Sequence, residues 1–356
     1  MAIPELWAVG MLLAAFAGGA FGASVGALPS FSLAGLMVIV GELYVLAGRT
    51  LGVDALPVDV TGSIGFGVVL GPHVAFGGGA AALAYAAKRG YLDTDFEYHQ
   101  AKEVTRGLGS RPDVLAVGGA FGVVGYWIAT ASSALSLPVD PVALGVVGSA
   151  LAHRFVLGYS LVGTAPGRWY DMSPYERRAA ATADADGEST ALGDGGRPAV
   201  QPWLPYQYRW RDVLMLGLVV GVLGAYVAYL TASPFLAFGI SVVALVFLTA
   251  GVAEIPVTHH VSLPASTAVL ALVDVPAGDL TPTLVTGAIP LEVALLVGAG
   301  FGIVGALFGE VLQRLLYAHA ETHLDPPAAS IVVTSFLIAV LATAGVLPSS
   351  VWVPTP

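Results

Sequence analysis

The stretch GPHVAFGGGAAALAYA, residues 71–86, lies inside an apolar run that extends from Ile64 to Lys88. A helix needs about 20 apolar residues to cross a bilayer, and this run is long enough. Pro72 and His73 interrupt it. Proline removes a backbone donor and disfavours helix through its ring. An ionisable side chain in hydrocarbon is costly and by default marks function. The run therefore reads as a membrane helix broken at its Pro-His point.

The rest of the chain has the same character. Of 356 residues, 56% are hydrophobic and 11% charged, and the mean hydropathy is +0.81. That composition belongs to an integral membrane protein rather than a soluble domain. Strand-like alternation is absent, which argues against a transmembrane barrel. Apolar windows predict ten spans, near residues 5–28, 30–48, 62–87, 113–134, 140–162, 212–231, 234–252, 256–274, 290–317 and 327–347. The N-terminal MAIPELWAVGMLLAAFAGG lacks a basic leader region and reads as the first span. The absence of cysteine excludes disulfides and thiolate metal sites. A net charge of −10, with Lys88 and Lys102 the only lysines, fits a high-salt cytoplasm in which screening weakens self-repulsion. The expected partners are the lipid bilayer and a small solute or ion, with no nucleic acid.

Two polar segments hold most of the 14 basic residues. Lys88, Arg89, Lys102, Arg106 and Arg111 lie in 88–112, and Arg168, Arg177, Arg178, Arg197, Arg209 and Arg211 lie in the segment from Gly167 to Asp212. The positive-inside rule makes both cytoplasmic. Within the second, ATADADGESTALGDGG has the composition of a flexible linker. The expected organisation is thus a first five-helix unit over 1–165, an acidic linker over 166–208 and a second five-helix unit over 209–356.

The two units resemble each other. GGAFGVVGY (118–126) recurs as GAGFGIVGA (298–306), and each is followed by a helix start, at Asp140 and at Asp325. GGAFGASVGA in the first span has GLVVGVLGA in the sixth, and the opening stretch lies over THHVSLPASTAVLALV (258–273), which pairs His73 with His260. Ordered matches of this kind indicate an internal repeat. Five spans per unit is an odd number, so the second unit enters the membrane in the opposite sense. On that reading Asp140 lies at the outer surface and Asp325 at the inner one.

GGAFGASVGALPSF, GPHVAFGGG, PVTHHVSLPA and THLDPPA resemble a family of multi-pass membrane proteins of halophilic archaea and some bacteria whose function is unknown. The resemblance extends over nearly the whole chain. It implies membrane location and habitat, and it supplies no chemistry.

Candidate sites follow from residue type and position. His73 and His260, with Pro72 and His259, belong to discontinuous helices, the second flanked by Pro256 and Pro264. Half-helix N-termini suit an anion, and neutral imidazoles suit a metal or a proton relay. Glu254 precedes the paired histidines and is a binding and coupling candidate, as is Glu42 for coupling. His319, Glu321, His323 and Asp325 alternate, and in an extended segment would share a face able to hold a divalent metal. Against this, Asp325 followed by Pro326 is an ordinary helix start. Gly18, Gly22 and Gly26, Gly118 and Gly122, Gly217 and Gly221, and Gly298 and Gly302 recur at four-residue spacing, which lets helices pack closely and provides faces for a homo-oligomer. Glu310 and Arg314 are placed to pair on one helix face, and Arg154 and Arg314 to snorkel to the interface.

The function expected is a membrane transporter or channel-like facilitator for a small polar solute or ion, without an enzyme's chemistry. Beside it stand a structural, oligomeric membrane protein and a metal-dependent intramembrane enzyme. No cofactor is identified beyond a bound ion or divalent metal.

Overall fold

The computed structural model describes residues 3–52, 58–93, 99–165, 168–177 and 200–355; of the linker expected at 166–208, residues 166–167 and 178–199 lie outside them. All regular structure among the described residues is helical. In chain order the helices are α1 (Val9–Val25), α2 (Ala27–Leu51), α3 (Ala75–Lys88), α4 (Pro112–Ala134), α5 (Pro141–Val156), α6 (Trp210–Thr231), α7 (Leu236–Val243), α8 (Leu245–Thr249), α9 (His259–Leu270), α10 (Pro282–Ala288), α11 (Leu291–Leu316) and α12 (Pro326–Thr343). Five are long and apolar enough to cross a membrane: α2, α4, α6, α11 and α12. Several carry exposed large apolar side chains, such as Val219 at 56% and Leu296 at 73% exposure.

The uniform spans read from hydropathy are corrected at four places. The run 62–87 is a short π-helical turn, Thr61–Gly65, then bends and turns to Val74, and helix only from Ala75. The span at 234–252 is divided at Ala244 into α7 and α8. That at 256–274 is a helix of only 12 residues. Pro264 lies inside this helix instead of closing it, and the neighbouring α11 packs directly on it at Gly305. The span at 140–162 ends at Val156. Hydropathy averages over a window and does not register where backbone turns are buried within protein, which is the setting that tolerates non-helical backbone at membrane depth.

Small residues determine what packs on what. A Cβ built on Gly19 of α1 would lie 2.2 Å from the Gly118 carbonyl oxygen of α4, and one on Gly122 would lie 2.6 Å from that of Ala15. The same crossing occurs between α6 and α11: a Cβ on Gly221 would be 2.4 Å from the Gly298 oxygen, and one on Gly302 2.4 Å from the Gly217 oxygen. Gly22 admits the Ala75 carbonyl of α3, so Gly18 and Gly22 face the broken segment while Gly19 makes the helix crossing. Gly26 does not continue the stripe. It has φ +105°, which glycine alone adopts easily, and turns α1 into α2 against the Arg106 backbone. The glycine stripes are thus occupied within one chain.

Helices α3 and α9 run through the interior. Every residue of α9 is buried, as is nearly all of α3, whose sequence AFGGGAAALAYAAK leaves room for neighbours on every side. α2 and α7 meet at Gly35 and Gly239: a Cβ on Gly35 would be 2.5 Å from Val242 Cγ1, and one on Gly239 2.9 Å from Ile39 Cγ1.

Candidate functional site

Four helices begin at one place. α3 starts after the Gly71–Val74 turn and α9 after Thr258. α5 and α12 start at Asp140 and Asp325, each followed by proline at the first helical position, where a missing N–H costs nothing. The Asp140 carboxylate accepts from the N–H groups of Val142 at 2.8 Å and Ala143 at 3.2 Å. Asp325 accepts from Ala328 N at 2.8 Å and lies 3.4 Å from His323 Nε2. Asp140 N donates to Ser335 Oγ of α12 at 2.9 Å, tying the two starts together.

Between these helix ends is a small cavity of about 30 Å³. Pro72 and Phe76 line it from the α3 side, His259 and Leu263 from α9, Asp140, Val142, Ala143 and Val146 from α5, and Asp325, Ala328 and Ile331 from α12; Phe31, Phe66 and Phe238 complete the wall. The wall is mostly carbon. Its polar side chains are Asp140, Asp325 and His259. His259 is 3% exposed, its Nδ1 has no hydrogen-bond partner, and its ring meets the edges of Phe31 at 5.0 Å and Phe238 at 5.7 Å.

Asp140 and Asp325 therefore do not lie on opposite surfaces, as the topology read from sequence requires; both line the same cavity. A helix that starts at a turn buried within the protein need not begin at an outer surface. His73 and His260 are buried one residue beyond the cavity's Pro72 and His259. Each instead seats its backbone carbonyl in a glycine notch: a Cβ on Gly125 would lie 1.7 Å from the His73 oxygen, and one on Gly305 2.4 Å from that of His260. The His73 Cβ packs on Gly145 and the His260 ring on Gly309.

Beyond Asp325 is a buried polar cluster that joins three elements. Lys102, 3% exposed, donates from Nζ to the Tyr317 carbonyl at 2.9 Å and lies 4.2 Å from the centre of that ring. Arg154, fully buried, donates from Nε to Thr322 Oγ1 at 2.9 Å, from one terminal nitrogen to the Thr322 carbonyl at 2.8 Å and from the other to that of Leu161 at 2.6 Å. His153 Nε2 approaches Thr322 Oγ1 at 3.2 Å, and His323 N donates to the Ala101 carbonyl at 3.2 Å. Arg154 does not snorkel outward; it clamps residues 317–325 from inside. Burial, with the Arg154 charge nearby, holds the Lys102 ammonium well below the usual lysine range. Sequence reasoning missed this cluster. Its one visible signal was that Lys102 is one of only two lysines.

The alternating His319, Glu321, His323 and Asp325 do not converge. His319 Nε2 lies 3.0 Å from the Trp169 carbonyl, Glu321 is exposed, and only His323 and Asp325 meet. No group of three or more metal-ligating side chains is present among the described residues. Glu254 has φ +59° and is exposed in a shallow polar groove with Tyr206, Gln207 and Asp212, apart from the buried histidines. Glu42 accepts from Thr61 Oγ1 at 2.8 Å and from Ser233 Oγ at 2.5 Å, joining the π-helical turn to the segment before α7. Glu310 and Arg314 pair as their spacing predicts, at 2.5 Å, but both are buried, and Arg314 also donates to the carbonyls of Tyr170 and Tyr208.

A model described as a family of unknown function, DUF7973, matches residues 1–356. The chain belongs to that family. No curated protein and no solved structure matches it.

Proposed function

We propose that this chain is a membrane transporter or channel-like facilitator for a small polar solute or ion, with its site in the central cavity. The observation that carries the reading is the pairing of the cavity wall. Pro72 and His259, and Phe76 and Leu263, are separated by one constant interval along the chain. Asp140 and Asp325, Ala143 and Ala328, and Val146 and Ile331 are separated by another. The matched glycine notches under His73 and His260, and the matched crossings of α1 with α4 and α6 with α11, support the same correspondence. We read them as two five-helix units of opposite sense, making ten crossings in all, some of them by broken helices. A binding site at the interface of inverted units, built from discontinuous helices, is the arrangement of many secondary transporters; to that extent the reading is an analogy of architecture.

The basic segments at 88–112 and 166–208 are cytoplasmic on this reading, and the cell membrane is the location. The Lys102–Arg154–Thr322 cluster then seals the cytoplasmic side of the cavity, whereas the corresponding approach to Asp140, SALSLPV, is largely apolar. The structural alternative has less support, because the glycines it needs for an oligomer face are occupied within the chain.

The absence of cysteine makes the test direct. Val146→Cys and Ile331→Cys place single thiols on the cavity wall, and in sealed vesicles of known orientation each is challenged with a membrane-impermeant thiol reagent. Labelling from the aqueous phase, at rates that differ between the two sides, is expected. Cysteines that react only with lipid-soluble reagents, in vesicles whose solute flux equals that of empty liposomes, would overturn the reading.

A further inference from the structure

The two carboxylates at the cavity differ in what stands beside them. Two residues before Asp325 is His323, and two before Asp140 is Pro138. In the cavity wall the second unit contributes His259 where the first contributes Pro72. The second unit therefore has imidazoles at both positions where the first has prolines. A turn does not need that exchange. Proline fixes a turn, whereas imidazole brings an atom that takes up or gives up a proton near neutral pH.

Asp325, His323 and His259 form one buried group. His323 Nε2 lies 3.4 Å from Asp325 Oδ1, while Oδ2 accepts from Ala328 N. His259 shares the cavity wall with Asp325 and interacts with its charge. Nδ1 of each imidazole has no hydrogen-bond partner among the described residues. Carbon packs around His323, whose ring meets the edges of Phe76 at 5.5 Å and Tyr317 at 5.4 Å. Among the described residues no lysine or arginine comes within ion-pair distance of Asp325. A buried carboxylate without a counter-charge is costly. Here the counter-charge arrives as a proton, which makes the pair either carboxylic acid with imidazole or carboxylate with imidazolium. Lys102 and Arg154 act on His323 from the cytoplasmic side, and like charges disfavour a permanent imidazolium. The Ala328 N–H steadies the carboxylate when the proton has left. His153 on α5, His260 on α9 and Tyr317 at the end of α11 are the other titratable groups around the three. Both states of the pair are thus provided for, as a proton that comes and goes requires. A cavity of about 30 Å³ has room for one or two waters. A proton needs no more space than that.

We infer that the ion this chain handles is the proton, held at the Asp325–His323 contact with His259 beside it in the cavity wall. The inference names the ion of the transport reading above and rests on it. Uptake breaks an O–H bond of a hydronium and forms a bond from that hydrogen to Asp325 Oδ1 or His323 Nε2; release reverses the step, and no other reactant takes part.

The test uses the purified full chain in lipid nanodiscs, with infrared difference spectra taken between acid and alkaline buffer in H2O and in D2O. A buried carboxylic acid band is expected that is gained in acid, moves in D2O and is missing from Asp325→Asn, which keeps a good helix cap. His323→Gln and His259→Gln keep a polar side chain that does not take up a proton. Each should displace the pH midpoint of the band, the former by about one unit, a tenfold change in proton affinity. An Asp325 that stays in one protonation state at every pH at which the chain remains folded, or a midpoint unmoved in both histidine variants, would overturn the assignment. Flux in proteoliposomes separates this claim from transport itself. With a membrane potential imposed and a pH-sensitive dye enclosed, wild-type vesicles are expected to take up protons and D325N vesicles to behave as empty ones. If Asp325 titrates as expected and neither protons nor glycerol cross, the site stands and transport falls. If glycerol or potassium crosses through the protein while Asp325 keeps one state and no proton moves, transport stands and the proton assignment falls.

Discussion

Gly302 and Gly300 are two residues apart on α11, and alanine should have opposite effects at them. A Cβ on Gly302 would lie 2.4 Å from the Gly217 oxygen and 2.5 Å from Gly221 Cα, both backbone atoms of α6. Ordinary contact begins near 3.4 Å, so α6 and α11 must separate by about 1 Å along the contact line. No side chain can rotate to relieve it. Overpacking costs typically 1–3 kcal/mol and more when backbone must move, so Gly302→Ala should lose about 3 kcal/mol. Gly300 is exposed and has nothing within 4 Å of its Cβ position. There alanine removes glycine's entropy cost in a helix, a gain of about 0.5–1 kcal/mol. At about 1.3 °C per kcal/mol for a chain of 356 residues, the two melting temperatures should differ by about 5 °C. Thermal unfolding in one detergent, followed by tryptophan fluorescence, reads the difference directly. Gly122→Ala, at the corresponding α1–α4 crossing, should behave as Gly302→Ala does. Should both variants melt within a degree of Gly300→Ala, the close approach of these backbones would be wrong, and with it the packing that positions α3 and α9.

Three further outcomes follow from the buried charges. Glu310→Gln removes one partner of a buried ion pair and should cost about 3–5 kcal/mol in chemical unfolding, whereas the E310Q R314M double variant should recover much of the loss because no uncompensated charge is left. Arg154→Lys keeps the charge but cannot reach Thr322 and Leu161 together; it should lose about 2 kcal/mol or more, and wild-type stability would refute the clamp. For Lys102, the folded pKa lies below that of the unfolded chain, so between that lowered value and about 10.4 the unfolded state binds more protons and stability rises with pH. Lys102→Met should flatten this rise from neutral pH to about pH 10, and an unchanged slope in melting temperature would show that the ammonium is solvated.

The helical class was legible in hydropathy, and the break in the opening stretch was legible in two residues, Pro72 and His73. The pairing of Glu310 with Arg314 followed from spacing. Its burial did not, since four-residue spacing specifies proximity on a helix and says nothing of what covers it. His73, His260, Pro72 and His259 were read as one group, and the structure divides it: Pro72 and His259 line the cavity, whereas His73 and His260 are buried beside it. A broken segment has no fixed period from which to tell which of two adjacent side chains faces inward. Asp140 and Asp325 were recognised as helix starts, and their meeting at one cavity was not, because it depends on where α5 and α12 begin relative to each other.

By itself the sequence determined composition, helical class, the glycines small enough for close crossings and the positions where helix must stop, because these depend on local chemistry and on neighbours within a few residues. The tertiary structure alone decided that four helix starts enclose a common space, that Arg154 turns inward to Thr322, that Lys102 is buried under Tyr317 and that His319 and His323 part company. Those are contacts between residues far apart in the chain, and they arise from which backbones the glycines allow to touch.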